Sequence, residues 1–600
     1  MTQENILSIK NLEITNKKTG EILLNNINLD LEKGKILGLI GQSGSGKTIL
    51  AQSLIKWINP PLEVTSGSIL YKGKDILKLN NKELSQIVGK EISFIGNNPV
   101  GSFDPTLPVG LQILEKLLSV NPNISKNDGK EIIKKTFETV KFPASRKIFE
   151  EFPFQFSGGM MQRAIIVDSL ISNPKIMIAD NITQSLDVTI AAQIMRLLDN
   201  LQAEYNTSII FISSLLGTVS KIADKISIMD AGKIIEKTNM KDLLNNPKEN
   251  YTKNLLKEVP KIWQENPEID NAKIKNDNIL EVNNVSKIYK VSEKKFFSYK
   301  NIQAVKDVSF KLKRFENFGI IGESGCGKST LSRLLSNLED PDTGTISFNG
   351  RKISGLQNKQ ILDIRKKFQL LLQDPYGCIP NHKNIFNIIS EPLVIHGEKN
   401  KQLIKDKVKR VLNEVGLSDD ITYSLPSGLS AGQRQRINIA RALILEPELL
   451  ILDETLSSLD QVEQAKLLKL FQDLQNRYEI TYVFISHDLT MVRKVCNRIA
   501  VMYLGRIVEL AENDILYNKC QHPYTRTLLS SIPTLDKNPY DQSKYLMEGE
   551  PPDPSDVPKG CSFSSRCPFP TNDCKHGNIE MGLIEVSSGH WVDKCCVNCG

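Results

Sequence analysis

No stretch of this 600-residue sequence stays apolar for long, neither sign of charge dominates, and cysteine is scarce before position 561. Each shortage excludes something. A membrane-crossing helix needs about 18 or more consecutive apolar residues, yet the greasiest runs, such as residues 449–452 and 319–321, end within a few positions. The chain is not expected to span a bilayer. With 76 Lys and Arg against 69 Asp and Glu, the formal charge of +7 is too thin a surplus to imply a nucleic-acid partner. The opening Met-Thr-Gln-Glu-Asn lacks the basic and then apolar order of a secretory signal, so a cytosolic chain without disulfides is expected. The rest of the composition is ordinary: 40% apolar and 24% charged residues, with 36 Gly and 27 Pro, fit neither a collagenous nor a disordered chain. At about 100–200 residues per domain, the length allows roughly three to six domains.

Internal repetition sets the organisation. Gly41-Gln-Ser43-Gly44-Ser-Gly46-Lys47-Thr48 recurs as Gly322-Glu-Ser324-Gly325-Cys-Gly327-Lys328-Ser329. Downstream and in the same order, Ser157-Gly158-Gly159-Met160 matches Ser430-Ala431-Gly432-Gln433, and Ile178-Ala179-Asp180 matches Ile451-Leu452-Asp453. One glycine-rich pattern can arise by chance; two, each followed by co-ordered matches, mark a tandem duplication. Each pattern follows an apolar strand-like run (36–40; 318–321) and opens a helix-like stretch (48–58; 329–338). In that context the glycines turn backbone N–H groups toward nucleotide phosphates, Lys47 or Lys328 adds charge, and Thr48 or Ser329 offers a hydroxyl to Mg²⁺. Runs 176–180 and 449–453 each end in an acid, which suits a Mg²⁺ site at the carboxyl edge of a parallel sheet.

Residues 156–163, Phe-Ser-Gly-Gly-Met-Met-Gln-Arg, and 429–436, Leu-Ser-Ala-Gly-Gln-Arg-Gln-Arg, resemble the signature motif of ATP-binding cassette ATPases. The resemblance covers both halves. More narrowly, residues 92–95 with Asp104 and Pro105, then Gln373-Asp374-Pro375-Tyr376 and His522-Pro523-Tyr524-Thr525, are similar to ATPase subunits of di- and oligopeptide or nickel importers. Such subunits normally work in pairs. The resemblance implies an α/β chain of two tandem P-loop nucleotide-binding domains, each with a RecA-like core and a helical subdomain. They would cover 1–260 and 277–530, joined by a linker at 261–276 and followed by a Pro- and Cys-rich extension at 531–600.

Carried over residue by residue, the resemblance implies a full hydrolytic set in the second half. Tyr289 would stack on adenine, Gly322 to Thr330 would hold phosphates and Mg²⁺, and Gln373 would sense the metal. Asp453 would order Mg²⁺ through water, Glu454 would be the general base, Asp460 would close the dimer, and His487 would clamp the γ-phosphate. The first half keeps its P-loop, Asp180 and Asp187 but has Asn97, Asn181 and Ser214 where the family has Gln, Glu and His, and Asn16 near the aromatic position. An amide cannot take a proton from water, so this half is expected to bind Mg-ATP and hydrolyse it poorly. In the family each ATP lies between the P-loop of one half and the signature of the other. That pairing would join Ser430, Gly432 and Gln433 to the Lys47 site, and Ser157, Gly158 and Gly159 to the Lys328 site. Ala431 puts a methyl where the family has glycine, and is expected to crowd the phosphate or strain a positive φ. All departures then fall in one shared site, provided the halves pair within the chain.

Beyond a Pro-rich stretch at 550–558, Cys561, Cys567, Cys574 and Cys595 follow at spacings that resemble the C-terminal extension of these importers, some of which hold an iron–sulfur cluster. A four-iron cluster is the implied cofactor beside ATP and Mg²⁺, with zinc the alternative and Cys596 able to replace Cys595. The function implied is the energising ATPase of an importer for peptides, nickel, metal chelates or similar solutes. It would lie peripherally on the cytosolic face of the cell membrane, with two membrane-spanning permease subunits and a separate extracytoplasmic binding protein. The rival is a soluble tandem cassette acting on ribosomes or DNA, against which stand the near-neutral charge and the segment 522–525.

Overall fold

The computed structural model describes all residues except 1–3, 144–145, 185, 260, 265–268, 270, 293–298, 357, 373, 375, 458, 460, 541, 548, 578 and 597–600. Of the expected site residues, Gln373 and Asp460 therefore lie outside the described residues. Two units emerge: the first holds 1–261 with 533–537 and 548–550, the second 262–532, 538–547 and 551–600.

In the first unit the strand leading to the P-loop, Ile36–Ile40, is buried at every position. So are Ile176–Asp180 and Ser208–Ser213, as expected of parallel strands covered on both faces. They lie within a six-stranded sheet in the order Lys233–Thr238, Lys225–Asp230, Ile36–Ile40, Ser208–Ser213, Ile176–Asp180, Ile92–Ile95, with only Lys233–Thr238 antiparallel. A four-stranded antiparallel sheet, Ile22–Glu32, Asn5–Asn16, Leu62–Tyr71 and Lys74–Asp75, accompanies it. Helices Val109–Val120, Lys126–Thr139 and Gly158–Leu170 pack into one core through Ile113, Leu117, Ile133, Phe137 and Ala164.

The second unit repeats this plan. Phe368–Leu371, Leu449–Asp453, Thr481–Ser486, Asn317–Ile321 and Arg498–Tyr503 run parallel, and Arg506–Glu512 follows antiparallel. Its sheet then grows to eight strands, because His590–Asp593 pairs with Arg506–Glu512 and Leu583–Ser587 closes the edge. The tail is thus woven into the sheet that carries the P-loop. Helices Ile385–Ile395, Lys401–Glu414 and Ala431–Leu443 form the helical part. No described helix is long and apolar enough to cross a membrane.

Candidate active site

In the second unit the chain leaves the buried strand Asn317–Ile321, turns through residues 322–327 and enters the helix Lys328–Leu335. Glycine is required at the last turn position: Gly327 has φ 105°, and a Cβ there would lie 2.1 Å from the Ala304 carbonyl oxygen. The turn holds Lys328 from within, its Nζ donating to the carbonyls of Gly322 at 2.8 Å and Glu323 at 3.0 Å. Lys328 Nζ also lies 3.9 Å from Glu454 Oε1, which is 3.4 Å from His487 Nδ1. Burial pushes the Glu454 carboxyl up, but the hydrogen bond and charge of His487 and the charge of Lys328 outweigh it and hold it below the usual range. A lowered carboxyl favours the ionised form, which general base catalysis requires. Glu454 also sits at φ 48°, a left-handed backbone that costs a non-glycine residue energy and recurs at functional sites.

Ser324, Gly325, Gly327, Lys328, Ser329, Thr330 and Glu454 line a cavity of about 330 Å³, within the usual range for a small-molecule site. Tyr289 stands beside it, near Thr330 and with its hydroxyl bonded to Glu339. Beneath the cavity Asp453 Oδ1 is buried and accepts no hydrogen bond, while the Ser329 hydroxyl lies beside the same carboxylate. Hard oxygen donors with one acceptor left open suit Mg²⁺, so the expected metal fits Ser329 and Asp453.

The first unit builds the same frame with different contents. Lys47 Nζ donates to the carbonyls of Gly41 at 2.8 Å and Gln42 at 2.7 Å, and Gly46 takes φ 98°. Asp180 is raised by burial, opposed by a Thr48 hydrogen bond, the Lys47 charge and an Asn181 hydrogen bond. Asn181 repeats the left-handed backbone at φ 51° but bonds Asp180 Oδ1 at 3.0 Å through Nδ2. Ser214 follows the strand Ser208–Ser213 as His487 follows Thr481–Ser486, and Asn97 is exposed.

Both signature serines cap a helix, as Ser does where N–H groups lack partners. Ser157 Oγ accepts from Met160 N at 3.1 Å, and Ser430 Oγ from Gln433 N at 3.2 Å, with Gln433 Oε1 accepting from Ser430 N at 3.0 Å. Gly158, Gly159 and Gly432 lie in the first turns of these helices. The expected backbone strain at Ala431 is corrected: it has ordinary helical geometry, because the signature turn begins the helix at this residue and needs no positive φ. Ser157 Oγ also donates to Glu550 Oε2 at 2.6 Å, within the first unit.

The C-terminal cysteines depart from expectation. Among the described residues no group of His, Cys, Asp or Glu is arranged to hold a metal ion. Cys561 instead gathers Cys595 and Cys596, whose hydrogen bonds hold its thiol below the ordinary range, and Cys595 Sγ lies 3.4 Å from Cys596 Sγ. Cys574 Sγ accepts from Thr571 Oγ1 at 3.0 Å, and Cys567 Sγ from Phe569 N at 3.4 Å. The four expected ligands are not assembled as a cage, so no chemistry is routed through a cluster.

Between Cys561 and Cys567, Arg566 makes a bidentate pair with Glu323 of the P-loop at 2.6 and 2.9 Å, both side chains almost wholly buried. Glu323 N donates to Tyr524 Oη at 2.9 Å, and Gln42 N of the first unit to Tyr251 Oη at 3.2 Å. Each P-loop is thus backed by a tyrosine. Glu509 accepts from Gln521 N and His522 N, and Glu236 from Lys248 N and Glu249 N. Asn250-Tyr251-Thr252 is the first-half copy of Pro523-Tyr524-Thr525, and the offset between Asp180 and Asp453 would have found it.

The ABC transporter family matches residues 24–184 and 305–457, and the C-terminal region of oligopeptide/dipeptide transporters matches 235–289 and 508–574. The chain is similar to the glutathione import ATP-binding protein GsiA of Pectobacterium atrosepticum, 31% identical over 92% of this chain and 94% of that protein. GsiA of Salmonella paratyphi A is 32% identical over 92% and 93%. Among solved structures, cbiO1 of Clostridium perfringens, part of the ABC transporter complex cbiONQ, is 26% identical with a TM-score of 0.36, over 41% of this chain and 92% of that one. The chain belongs to the ABC transporter family, whose ATPase domain it carries twice in tandem.

Proposed function

We propose that the chain is the energy-coupling ATPase of an importer for glutathione or short peptides. The carrying observation is the Lys328, Glu454 and His487 group beside a nucleotide-sized cavity, in a chain with no described helix able to cross a membrane. Work done on a solute must then pass to two membrane-spanning permease subunits, fed by a separate extracytoplasmic binding protein, with this chain on the cytosolic face. The names of the relatives and the oligopeptide/dipeptide region favour glutathione or peptides over nickel and metal chelates. Co-expression with the permeases checks the docking: a chain that stays wholly in the soluble fraction overturns it.

Hydrolysis is assigned to the second unit. Attack of water on the γ-phosphorus would pass one water proton to Glu454 as the bond to the bridging oxygen breaks and ADP leaves, with Lys328 and His487 placed to hold the phosphate oxygens and Ser329 and Asp453 placed to hold a metal. Bound Mg²⁺ would supply charge neutralisation at the phosphates. The first unit, with Asn181 where the base would be, holds ATP as part of the closed interface between the two halves. Lys47→Ala is accordingly expected to slow turnover at the distant Glu454 site by about fivefold or more, the usual scale of coupling between sites. Steady-state ATPase assays of the assembled transporter measure this, and an unchanged rate removes the first unit from the cycle. A cluster on Cys561, Cys567, Cys574 and Cys595 has no support from this geometry, and iron and zinc analysis of anaerobically purified chain tests it directly.

A further inference from the structure

We propose that Ser332 is a positioning residue for the magnesium-binding carboxylate of the second unit. Ser332 is fully buried on the helix Lys328–Leu335, with Oγ 2.7 Å from Asp453 Oδ2 and 2.9 Å from the Ser329 carbonyl oxygen. One hydroxyl has one proton for two acceptors, and the charged carboxylate is the stronger. The bond therefore fixes Oδ2 and leaves Oδ1, which accepts no hydrogen bond, for the metal's water. The corresponding position in the first unit is Ala51, buried and without a donor. There Asn181 Nδ2 bonds the matching carboxylate, Asp180. That donor comes from the residue that stands where the base would be and reaches Oδ1 rather than Oδ2, so the two halves hold their equivalent carboxylates by different means.

In the full chain, Ser332→Ala should raise the half-saturating Mg²⁺ for ATP turnover roughly tenfold, the scale of a hydrogen bond to a charged group, with metal-free ATP binding unchanged. Electron paramagnetic resonance of Mn²⁺ with a non-hydrolysable ATP analogue should show bound Mn²⁺ falling from about two to about one per chain at a metal concentration that just saturates the parent, with bound nucleotide unchanged, whereas mere loosening of the fold would lose both together. Ser332→Thr, which keeps the hydroxyl, should retain the parent's metal dependence. Equal metal dependence in Ser332→Ala and the parent overturns the assignment, and so does equal loss in the alanine and threonine variants.

A different contact carries a second inference, resting on the proposed reading that the signature of one half meets the ATP of the other: we infer that Glu550 is an internal stand-in for phosphate that keeps the first signature inactive. Its Oε2 accepts a hydrogen bond from the Ser157 hydroxyl at 2.6 Å, and its Oε1 lies 2.9 Å from where a Cβ on Gly159 would be, against the first helical turn. Partial positive charge gathers there, and the charge of Arg163 faces the same carboxylate. The neighbouring Gly549 carbonyl is held by Gln193 Nε2 at 3.3 Å. Ser157 cannot give one proton to both Glu550 and a phosphate oxygen, so Glu550 must leave before the signature can act. Glu550→Ala in the full chain without permeases should raise basal ATP turnover about fivefold or more. Ser157→Ala separates the two layers of the argument. If Ser157→Ala silences the chain while Glu550→Ala changes nothing, this inference fails alone; if Ser157→Ala leaves turnover unchanged, the shared-site reading fails first.

Discussion

Glu454→Gln is expected to lower ATP turnover of the assembled transporter by about 10²–10⁴-fold, the scale of lost general base catalysis, while leaving ATP binding intact. The amide keeps the volume and the contact with His487 but cannot accept the proton of the attacking water. Among the described residues the first unit offers no substitute: Asn181 is already an amide, Asn97 is exposed, and Ser214 stands where His487 does in the second. For the same reason Asn181→Glu alone should restore little. It would set a second carboxylate beside Asp180 and remove the Nδ2 donor that Asp180 now uses at 3.0 Å, with Ala51 unable to replace it. Single-turnover and steady-state assays of both variants check this. Turnover in Glu454→Gln comparable with the parent would place catalysis in the first unit and reverse the assignment.

Arg566→Ala should have the largest effect on stability. It strips the partner from Glu323 inside the protein, and breaking a buried pair from one side typically costs about 3–5 kcal/mol, chiefly the penalty of a stranded charge. The damage should be confined to the second unit, since its first-unit counterpart Gln42 is uncharged. Hydrogen exchange can report the two units separately where a global melting curve cannot, and the expected result is faster exchange in the strand Asn317–Ile321 and the helix Lys328–Leu335. The double variant Glu323→Gln with Arg566→Met should recover most of the loss, because no charge is left buried. Equal exchange in the single variant and the parent would show that water reaches Glu323 and that the pair is not structural.

What the sequence discloses depends on whether a feature is local. The two P-loops and the strands ending in Asp180 and Asp453 are legible because a strand, a turn and a helix use consecutive residues, so the α/β repeat can be read before any coordinates. Ser332 with Asp453 and Arg566 with Glu323 are separated by 121 and 243 positions, and no local pattern links such partners. The strain expected at Ala431 failed for a related reason: a glycine in a motif does not reveal whether it serves φ or close approach, and this one begins a helix. The cysteines are the converse case. Their spacing resembles a ligand set, but the fold brings Cys561 to Cys595 and Cys596 rather than assembling the expected four.

The strand pair at the chain's end has a further meaning. In the first unit the sheet finishes at Lys233–Thr238, where Lys233 and Lys237 are exposed; charged lysines on an outer strand discourage other chains from adding to it. The equivalent strand Arg506–Glu512 carries Ile507, Val508, Leu510 and Ala511 buried and has no lysine. It lacks that defence because His590–Asp593 lies over it, and His590 bonds Glu509 at 2.8 Å. Stopping the chain before residue 583 would leave a bare, apolar template for cross-chain pairing, so the C-terminal segment is a guard against self-association as much as an accessory to the nucleotide site.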